Sequence, residues 1–191
     1  MAIAIVDTSK RLEVFTYEDY LNLPDNGKRY EIINGELYMV PAPTLGHQDT
    51  IGEFHLTIGI FLKANPIGKI YLAPTDIIFS DIDVLQPDLI FVSKEKFDIL
   101  TRENIQGAPD LVIEVLSPGT EKRDRTIKLK AYSKFGVLEY WMANDEKATV
   151  EVWRRKGKKL VFQALLDRTQ TLTTPLLPGL EIALEKIFQK G

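Results

Sequence analysis

The chain has 191 residues, of which 45% are hydrophobic and 27% are charged, a composition typical of a soluble globular domain. Its formal net charge is −3, so any binding of nucleic acid must come from a local basic patch rather than from the overall charge. The sequence has no cysteine and only two histidines, which excludes disulfide frameworks, thiolate zinc sites and cysteine nucleophiles.

No segment of the sequence has the pattern of a membrane span or a secretory signal. No apolar run approaches the roughly 18 residues that a span requires, and the first residues lack a basic segment followed by a long apolar one. Residues 1–14 form a leader without recognisable chemistry. We therefore expect a cytoplasmic protein with no membrane partner, folded as one domain over residues 1–191.

The first predicted elements are a short helix and a β-hairpin. Thr16, with an acid three positions later, has the spacing of a capping box and predicts a helix start. The segments 29–33 and 36–40 flank Asn34–Gly35. That dipeptide is typical of a two-residue hairpin turn because both residues tolerate positive φ.

A long helix and three strands are predicted next. Apolar residues recur at helical spacing from Gly46 to Ala64, which predicts one helix with a buried stripe. The apolar runs 69–73, 76–80 and 85–92 predict strands. Because only a short stretch around Asp81–Asp83 joins the last two runs, we expect those two strands to pair antiparallel.

The second half of the chain predicts a central strand, a basic helix and a C-terminal hairpin. Residues 110–116 have the composition of a strand buried on both faces. The remaining predictions are a helix over 121–135 closed by Gly136, a buried strand over 138–143, a hairpin of 149–154 with 160–165, and a short amphipathic helix over 180–189. The fold class is therefore α/β of mixed α+β type, with a central mixed sheet flanked by helices and a hairpin near each end.

Three predicted strands each carry one acidic residue among hydrophobic neighbours: Asp76, Asp88 and Glu114. A buried carboxylate is costly unless charge or hydrogen bonds compensate it. If the three acids converge, their repulsion raises their pKa values unless a divalent cation lies between them. The structural alternative is that each acid caps a strand end or pairs with its own lysine or arginine.

The predicted 121–135 helix is rich in cations: Lys122, Arg123, Arg125, Lys128, Lys130 and Lys134. Asp124, Lys128 and Tyr132 lie at positions i, i+4 and i+8 and therefore share one stripe. A basic helix is commonly a solvated face. Directly after an acidic strand, however, such a cluster is suited to meeting a phosphate backbone.

Several blocks of the sequence, taken in order, resemble a known family. They are Tyr30–Glu31, Asn34–Gly35–Glu36, Gln86–Pro87–Asp88, the run 109–118, the trio Asp124, Lys128 and Tyr132, and Gly136–Val137 with Glu139–Tyr140–Trp141. Gln86–Pro87–Asp88 followed by Glu114–Val115–Leu116 resembles the signature of the PD-(D/E)XK nuclease superfamily, which alone is a weak signal. The whole set, over residues 15–155, more specifically resembles that superfamily's family of "putative restriction endonucleases".

The resemblance implies a restriction-endonuclease-like core and a metal-dependent endonuclease that hydrolyses DNA phosphodiester bonds. Asp88 and Glu114 would bind Mg²⁺ or Mn²⁺ together with the backbone carbonyl of Val115, and Glu31 or Asp76 would complete the shell. The metal would orient and acidify a water for attack on phosphorus. The residues expected to contact the DNA, most simply double-stranded, are Lys122, Arg123, Arg125 and His47, although a histidine at a helix start is also a common cap or surface residue.

The sequence departs from the superfamily at Leu116, where a lysine normally follows the strand glutamate by two residues. In the narrower family this lysine lies on the following helix, which makes Lys128 the first candidate and Lys130 the second. If neither lysine reaches the metal, the chain is instead a catalytically inactive nuclease-fold protein that binds nucleic acid or regulates. A third hypothesis is a self-associating protein: the exposed edges of the 149–165 hairpin can pair with a second copy, and we expect a homodimer.

Overall fold

The computed structural model describes residues 14–24 and 26–189. The predicted leader 1–14 lies outside the described residues except for its last position. Among the described residues, no helix is both long and apolar enough to cross a membrane.

The first half of the chain alternates helices with short strands. In chain order the elements are α1 (Tyr17–Leu21), β1 (Arg29–Ile33), β2 (Glu36–Val40), α2 (Leu45–Ala64), β3 (Gly68–Leu72), β4 (Ile77–Ser80), β5 (Asp83–Leu85), β6 (Leu89–Ser93), a 3₁₀ helix (Lys94–Ile99), β7 (Ile105–Gln106) and β8 (Leu111–Val115). The capping box at Thr16 is present, since its side chain accepts from Asp19 N–H and the Asp19 carboxylate accepts from Thr16 N–H. The predicted 29–40 hairpin and 46–64 helix are confirmed.

The second half contains one helical run and two hairpins. Its elements are α3 (Glu121–Arg123), a π-helical turn (Asp124–Lys128), α4 (Leu129–Phe135), β9 (Glu139–Asn144), β10 (Thr149–Lys156), β11 (Lys159–Asp167), β12 (Thr171–Thr173), β13 (Glu181–Ala183) and α5 (Leu184–Ile187). Because α3, the π-helical turn and α4 follow one another without a break, we call them together the basic helix. Gly136 ends it with φ 104°, in the left-handed region that glycine adopts without steric cost.

Two mixed sheets form the centre of the fold. The larger has six strands in the order β11-β10-β9-β8-β6-β3, with β8 and β9 parallel and the other pairs antiparallel. The smaller has five strands in the order β2-β1-β5-β4-β7. The predicted α/β class, with mixed sheets, flanking helices and a hairpin towards each end, is confirmed.

The six-stranded sheet is covered on both faces. One face packs against α2 through residues such as Phe54 and Ile58. The other packs against the five-stranded sheet and the basic helix, where Tyr132 is fully buried. Because side chains alternate along a strand, Glu114 and Leu116 both point to this second face.

Two sequence predictions are wrong in detail. The run 85–92 is not one strand: β5 ends at Leu85 and pairs antiparallel with β4 as expected, but β6 begins at Leu89 in the other sheet. Pro87, which has no N–H to give to a ladder, lies in the crossing between the two sheets. The predicted 180–189 helix begins instead as strand β13, because its buried residues recur at every second position, as in a strand.

Candidate functional site

Asp88 lies in the crossing between the two sheets, directly before β6. Its Oδ2 accepts a hydrogen bond from the backbone N–H of Val115 at 2.8 Å, and its Oδ1 lies 3.1 Å from Nε2 of His47. Continuing the antiparallel β6–β8 register by one pair places Asp88 opposite Glu114. The crossing therefore brings together the two acids that the sequence places 26 positions apart.

Glu114 is buried and holds a lysine. Its Oε1 accepts hydrogen bonds from Nζ of Lys128 and from the hydroxyl of Tyr132, both at 2.8 Å. The same Nζ lies 2.8 Å from Oε1 of Glu31 and 3.7 Å from Oδ1 of Asp124. Three buried carboxylates thus surround one buried ammonium group, and the predicted stripe on the basic helix faces this cluster.

The π-helical turn positions the lysine. In this turn the N–H of Leu129 donates to the carbonyl of Asp124, five residues back, and the hydroxyl of Tyr140 donates to the same carbonyl at 3.3 Å. Such single wide turns are frequent at functional sites, because they shift the direction of the side chains that they carry. Here the turn ends at Lys128, whose ammonium group reaches Glu114.

The cluster carries an excess of buried negative charge. Burial raises the pKa of the Glu114 carboxyl well above its ordinary value; the Lys128 ammonium opposes this rise, and Asp124 and Asp88 add to it. Burial also raises the pKa of Asp124. Burial alone would lower the pKa of Lys128, but Glu114, Glu31 and Asp124 outweigh it and raise that pKa, so the ammonium stays charged. A proton or a further cation is needed to balance the remaining carboxylates.

Asp88, Glu114 and Lys128 line one pocket. Its volume is about 50 Å³, several times the roughly 10–15 Å³ that one water requires, so it has room for an ion with some of its waters. Around it, three buried oxygens, Glu31 Oε2, Gln86 Oε1 and Asp124 Oδ1, have no hydrogen-bond partner among residues 14–24 and 26–189. Arg123 lies 3.7 Å from Glu31 Oε2, and Lys128 lies 3.7 Å from Asp124 Oδ1. The site therefore combines a small cavity with oxygen atoms that still lack a hydrogen bond.

The other three predicted metal ligands, Val115, Glu31 and Asp76, differ in their position relative to the pocket. Val115 lines the pocket, whereas Glu31 is fully buried beside Lys128. Asp76 does not line the pocket, and its Oδ1 accepts hydrogen bonds from Tyr20 and from the Gln86 side chain at 2.9 and 2.8 Å. The structure brings Glu31 close to Asp88 and Glu114 but engages Asp76 elsewhere.

Some of the predicted catalytic lysines and DNA-contacting residues line this pocket, and the others lie outside it. Arg123 and His47 line the pocket, whereas Lys122 is exposed outside it. Arg125 is paired with two carboxylates, Glu121 at 2.8 Å and Glu151. Lys130, the second candidate for the catalytic lysine, is exposed and lines a separate surface groove with Lys134, Lys158 and Lys159. Only Lys128 reaches Glu114.

Two residues at the site were not singled out as functional by the sequence. Arg29 lines the pocket, and no carboxylate in the described part of the chain pairs with it. The Gln86 backbone N–H donates to Glu31 at 3.0 Å and its side-chain amide donates to Tyr20 and Asp76, so Gln86 joins three elements. Gln86 could have been identified from the sequence, because it belongs to the block Gln86–Pro87–Asp88 that carries the family resemblance. For Arg29 the sequence shows only that it begins a predicted strand.

Comparison with known proteins places the chain in a family. A solved structure, described as "a putative nuclease belonging to DUF820" from Anabaena variabilis ATCC 29413, matches with a TM-score of 0.75 and 22% identity, over 91% of this chain and 97% of that chain. At this identity the likeness shows the fold alone. A search of curated proteins gave no match. The profile of the Uma2 family, described as "Putative restriction endonuclease", matches residues 17–185, and the chain therefore belongs to the Uma2 family.

Proposed function

We propose that this protein is a metal-dependent endonuclease that hydrolyses DNA phosphodiester bonds in the pocket of Asp88 and Glu114. The description of its family supports the nuclease class. One observation carries the proposal: Nζ of Lys128 lies 2.8 Å from Oε1 of Glu114. An ammonium group thus stands beside the strand glutamate although Leu116 occupies the usual lysine position.

The packing of Leu116 explains why the lysine comes from the helix. Leu116 is only 4% exposed and belongs to the hydrophobic core between the two sheets. Its backbone N–H donates to the carbonyl of Ala143 at 2.7 Å, which fixes the end of β8. A lysine at position 116 would bury its stem in this core, whereas the basic helix delivers Lys128 to the same face of the sheet.

The donor atoms of the pocket fit a hard divalent cation. Asp88 and Glu114 supply carboxylates, and Val115, which also lines the pocket, is the candidate for a backbone carbonyl ligand. Both hydrogen bonds to Glu114 go to Oε1, so Oε2 is uncommitted within the described ranges. No three acidic or histidine side chains in those ranges form a metal-binding cluster. Mg²⁺ commonly takes only one or two protein carboxylates and completes its shell with waters and phosphate oxygens.

The chain's own residues supply orientation and charge. A bound Mg²⁺ or Mn²⁺ would contribute charge stabilisation at the phosphate and a more acidic water. Lys128 has three N–H donors; one donates to Oε1 of Glu114 at 2.8 Å, and its further ion-pair contacts are Glu31 Oε1 at 2.8 Å and Asp124 Oδ1 at 3.7 Å. Because Lys128 also lines the pocket, its ammonium group can donate to a water or a phosphate oxygen bound there. Arg123 adds positive charge at the pocket wall.

Nicking of supercoiled plasmid tests the proposed function. With Mg²⁺ or Mn²⁺ we expect the wild type to nick, and D88N and E114Q each to lower the rate by about 100-fold or more, since even outer-shell partners of a metal contribute 10–100-fold. The controls D98N and E103Q change exposed acids outside the pocket and should nick at the wild-type rate.

Two outcomes would contradict this function. Wild-type nicking rates in both D88N and E114Q would remove the site. Binding of DNA by the wild type without cleavage in either metal would favour the inactive nucleic-acid-binding alternative.

A further inference from the structure

A second groove adjoins the pocket of Asp88 and Glu114. The two share Arg29, Pro43, His47 and Asp88 in their walls. The second groove has a volume of about 330 Å³ and lies between α2 and the chain that leaves β3. A group bound at Asp88 would therefore have direct access to it.

The walls that belong to this groove alone are mainly apolar. They comprise Gln48, Ile51 and Gly52 from α2, and Leu72, Ala73 and Pro74 from the opposite side. Leu72 is 38% exposed, so part of its side chain is accessible from the groove. Apolar walls with a few polar groups at one end are typical of sites for planar organic groups, and single-stranded nucleic acids are recognised by packing splayed bases against side chains.

Gly52 lies in the α2 wall of this groove. Glycine is among the least favourable residues inside a helix, yet it lies in the 20-residue helix α2. A Cβ placed on Gly52 would meet no atom within 4 Å, and Gly52 is not among the residues with positive φ. The space beside Gly52 is therefore open, and a large side chain at this position would extend into the groove.

Arg29 connects the groove with the pocket. Its side chain lines both, and no carboxylate among the described residues pairs with it. A guanidinium group forms bidentate hydrogen bonds with phosphate and also stacks on planar rings. An arginine at this position suits a nucleotide whose phosphate lies at Asp88 and whose base lies in the groove.

We propose that the groove formed by Gln48, Ile51, Gly52 and residues 72–74, here called the base groove, receives the nucleobase next to the scissile phosphate. This rests on the proposed function for the position of that phosphate. A paired base is stacked inside a duplex and must be extruded to enter such a groove, which is least costly for a mismatched or single-stranded base. The preferred substrate is therefore a nucleic acid with an unpaired nucleotide at the cleavage site.

Binding of a fluorescent base analogue in EDTA tests the base groove without any cleavage. The probe is a single-stranded oligonucleotide with 2-aminopurine, whose fluorescence reports stacking. We expect G52F to weaken binding about 10-fold or more, since the new ring would occupy the space of the base and remove its apolar contacts with the groove walls. The control L56F introduces the same ring one helical turn further along α2, on an exposed position outside the groove, and should bind as the wild type does. Thermal unfolding confirms that both variants are folded.

Cleavage gives the second readout. We expect wild-type protein with Mn²⁺ to cleave a strand with an unpaired nucleotide about 10-fold faster than a perfect duplex, and G52F to lose that preference. Equal binding of the probe by G52F and the wild type, or equal cleavage of paired and unpaired strands, would overturn the base groove. If the wild type cleaves no DNA, the proposed function fails, but the binding comparison in EDTA still decides whether a base enters the groove.

Discussion

At the scale of single residues, the site depends on the buried ammonium group of Lys128. Its Nζ lies 2.8 Å from both Glu114 and Glu31, and we propose that it takes the place of the lysine that is absent at Leu116. Removing one partner of a buried ion pair is costly because it leaves the other charge uncompensated. Under the proposed function, Lys128 therefore has both a structural and a catalytic role.

Comparison of the variants K128M and K130M tests whether Lys128, rather than Lys130, has these two roles. We expect K128M to lower the free energy of unfolding by about 3–5 kcal/mol in urea titrations, because three buried carboxylates lose their cation. Plasmid nicking by the folded fraction should be lost. K130M changes an exposed lysine and should alter neither quantity. Nicking that depends on Lys130 and not on Lys128 would contradict this assignment.

The two arginines Arg29 and Arg125 give a second prediction at this scale. Arg29 has no carboxylate partner in the described part of the chain, whereas Arg125 is held by Glu121 and Glu151. We expect R29Q to weaken DNA binding and to reduce the slope of log K against log salt by about 1, because one phosphate contact is lost. R125Q should leave the slope unchanged. Fluorescence anisotropy at several salt concentrations measures both slopes, and equal slopes for wild type and R29Q would exclude the contact.

At the scale of elements, the start of α2 and the crossing between the sheets align the pocket. Thr44 caps α2, and its hydroxyl accepts a hydrogen bond from the N–H of His47 at 3.2 Å. This bond orients the first turn, and His47 in that turn lies 3.1 Å from Asp88. The helix cap thus contributes to the position of an acid on a different element.

Removal of this cap has a defined cost. We expect T44A to lower the free energy of unfolding by about 1 kcal/mol, the usual contribution of an N-cap hydroxyl. T44S retains the hydroxyl and should restore most of that loss. Thermal or urea unfolding of the three proteins measures the difference. Equal stability of T44A and wild type would show that the cap does not hold the first turn.

The edge strand β11 bears on the predicted homodimer, which stays a prediction. The β10–β11 register shifts at Val152 and Trp153, so Gln163 is an extra residue in β11. Its side-chain amide donates to the carbonyls of Val161 and Phe162, both at 3.2 Å. Bulges and side chains that occupy edge carbonyls make a strand less available to a second copy.

At the scale of the whole molecule, two sheets enclose more acidic groups than the cations beside them can balance. Glu31 comes from one sheet and Glu114 from the other, and the basic helix contributes Asp124 together with Lys128. In a metal-free protein this imbalance must appear as a dependence of stability on pH.

The variant E114Q tests this imbalance in EDTA. The folded-state pKa of Glu114 is raised above its unfolded value of about 4.3. The contribution of Glu114 to stability is therefore full below that pH and is lost as the pH rises through the folded-state pKa. The free energy of unfolding of E114Q minus that of the wild type should therefore increase with pH above about 4.3. Urea titrations across neutral and mildly acidic pH give the difference, and parallel profiles would contradict a raised pKa.

Local sequence signals predicted the elements that depend on neighbouring residues. The Asn34–Gly35 turn has φ of 53° and 77°, as its residues allow, and the Gly136 cap closes the basic helix. The pairing of Asp88 with Glu114 and the choice of Lys128 came from the resemblance and from helical spacing. The turn and the cap are encoded within short stretches of sequence, whereas the pairing of Asp88 with Glu114 rests on the resemblance.

Features set by distant partners were not predictable in this way. Pro87 gave no indication of which sheet the chain would enter next, and β13 is a strand because it pairs with β12. The paired state of Arg125 depends on Glu151, which is 26 positions away. Arg29 reaches the pocket because β1 joins β5 next to the crossing. Each of these features depends on residues that are distant in the sequence, so a local sequence pattern cannot predict it.

The most direct measurement of the central claim is the anomalous difference map of a crystal soaked in Mn²⁺. The account predicts one peak in the pocket between Asp88 and Glu114, within coordination distance of a carboxylate oxygen from each, and no peak there in crystals of D88N. Loss of nicking in the same variant would complete the result. A soaked crystal without a peak between these acids, from protein that still nicks DNA, would contradict it.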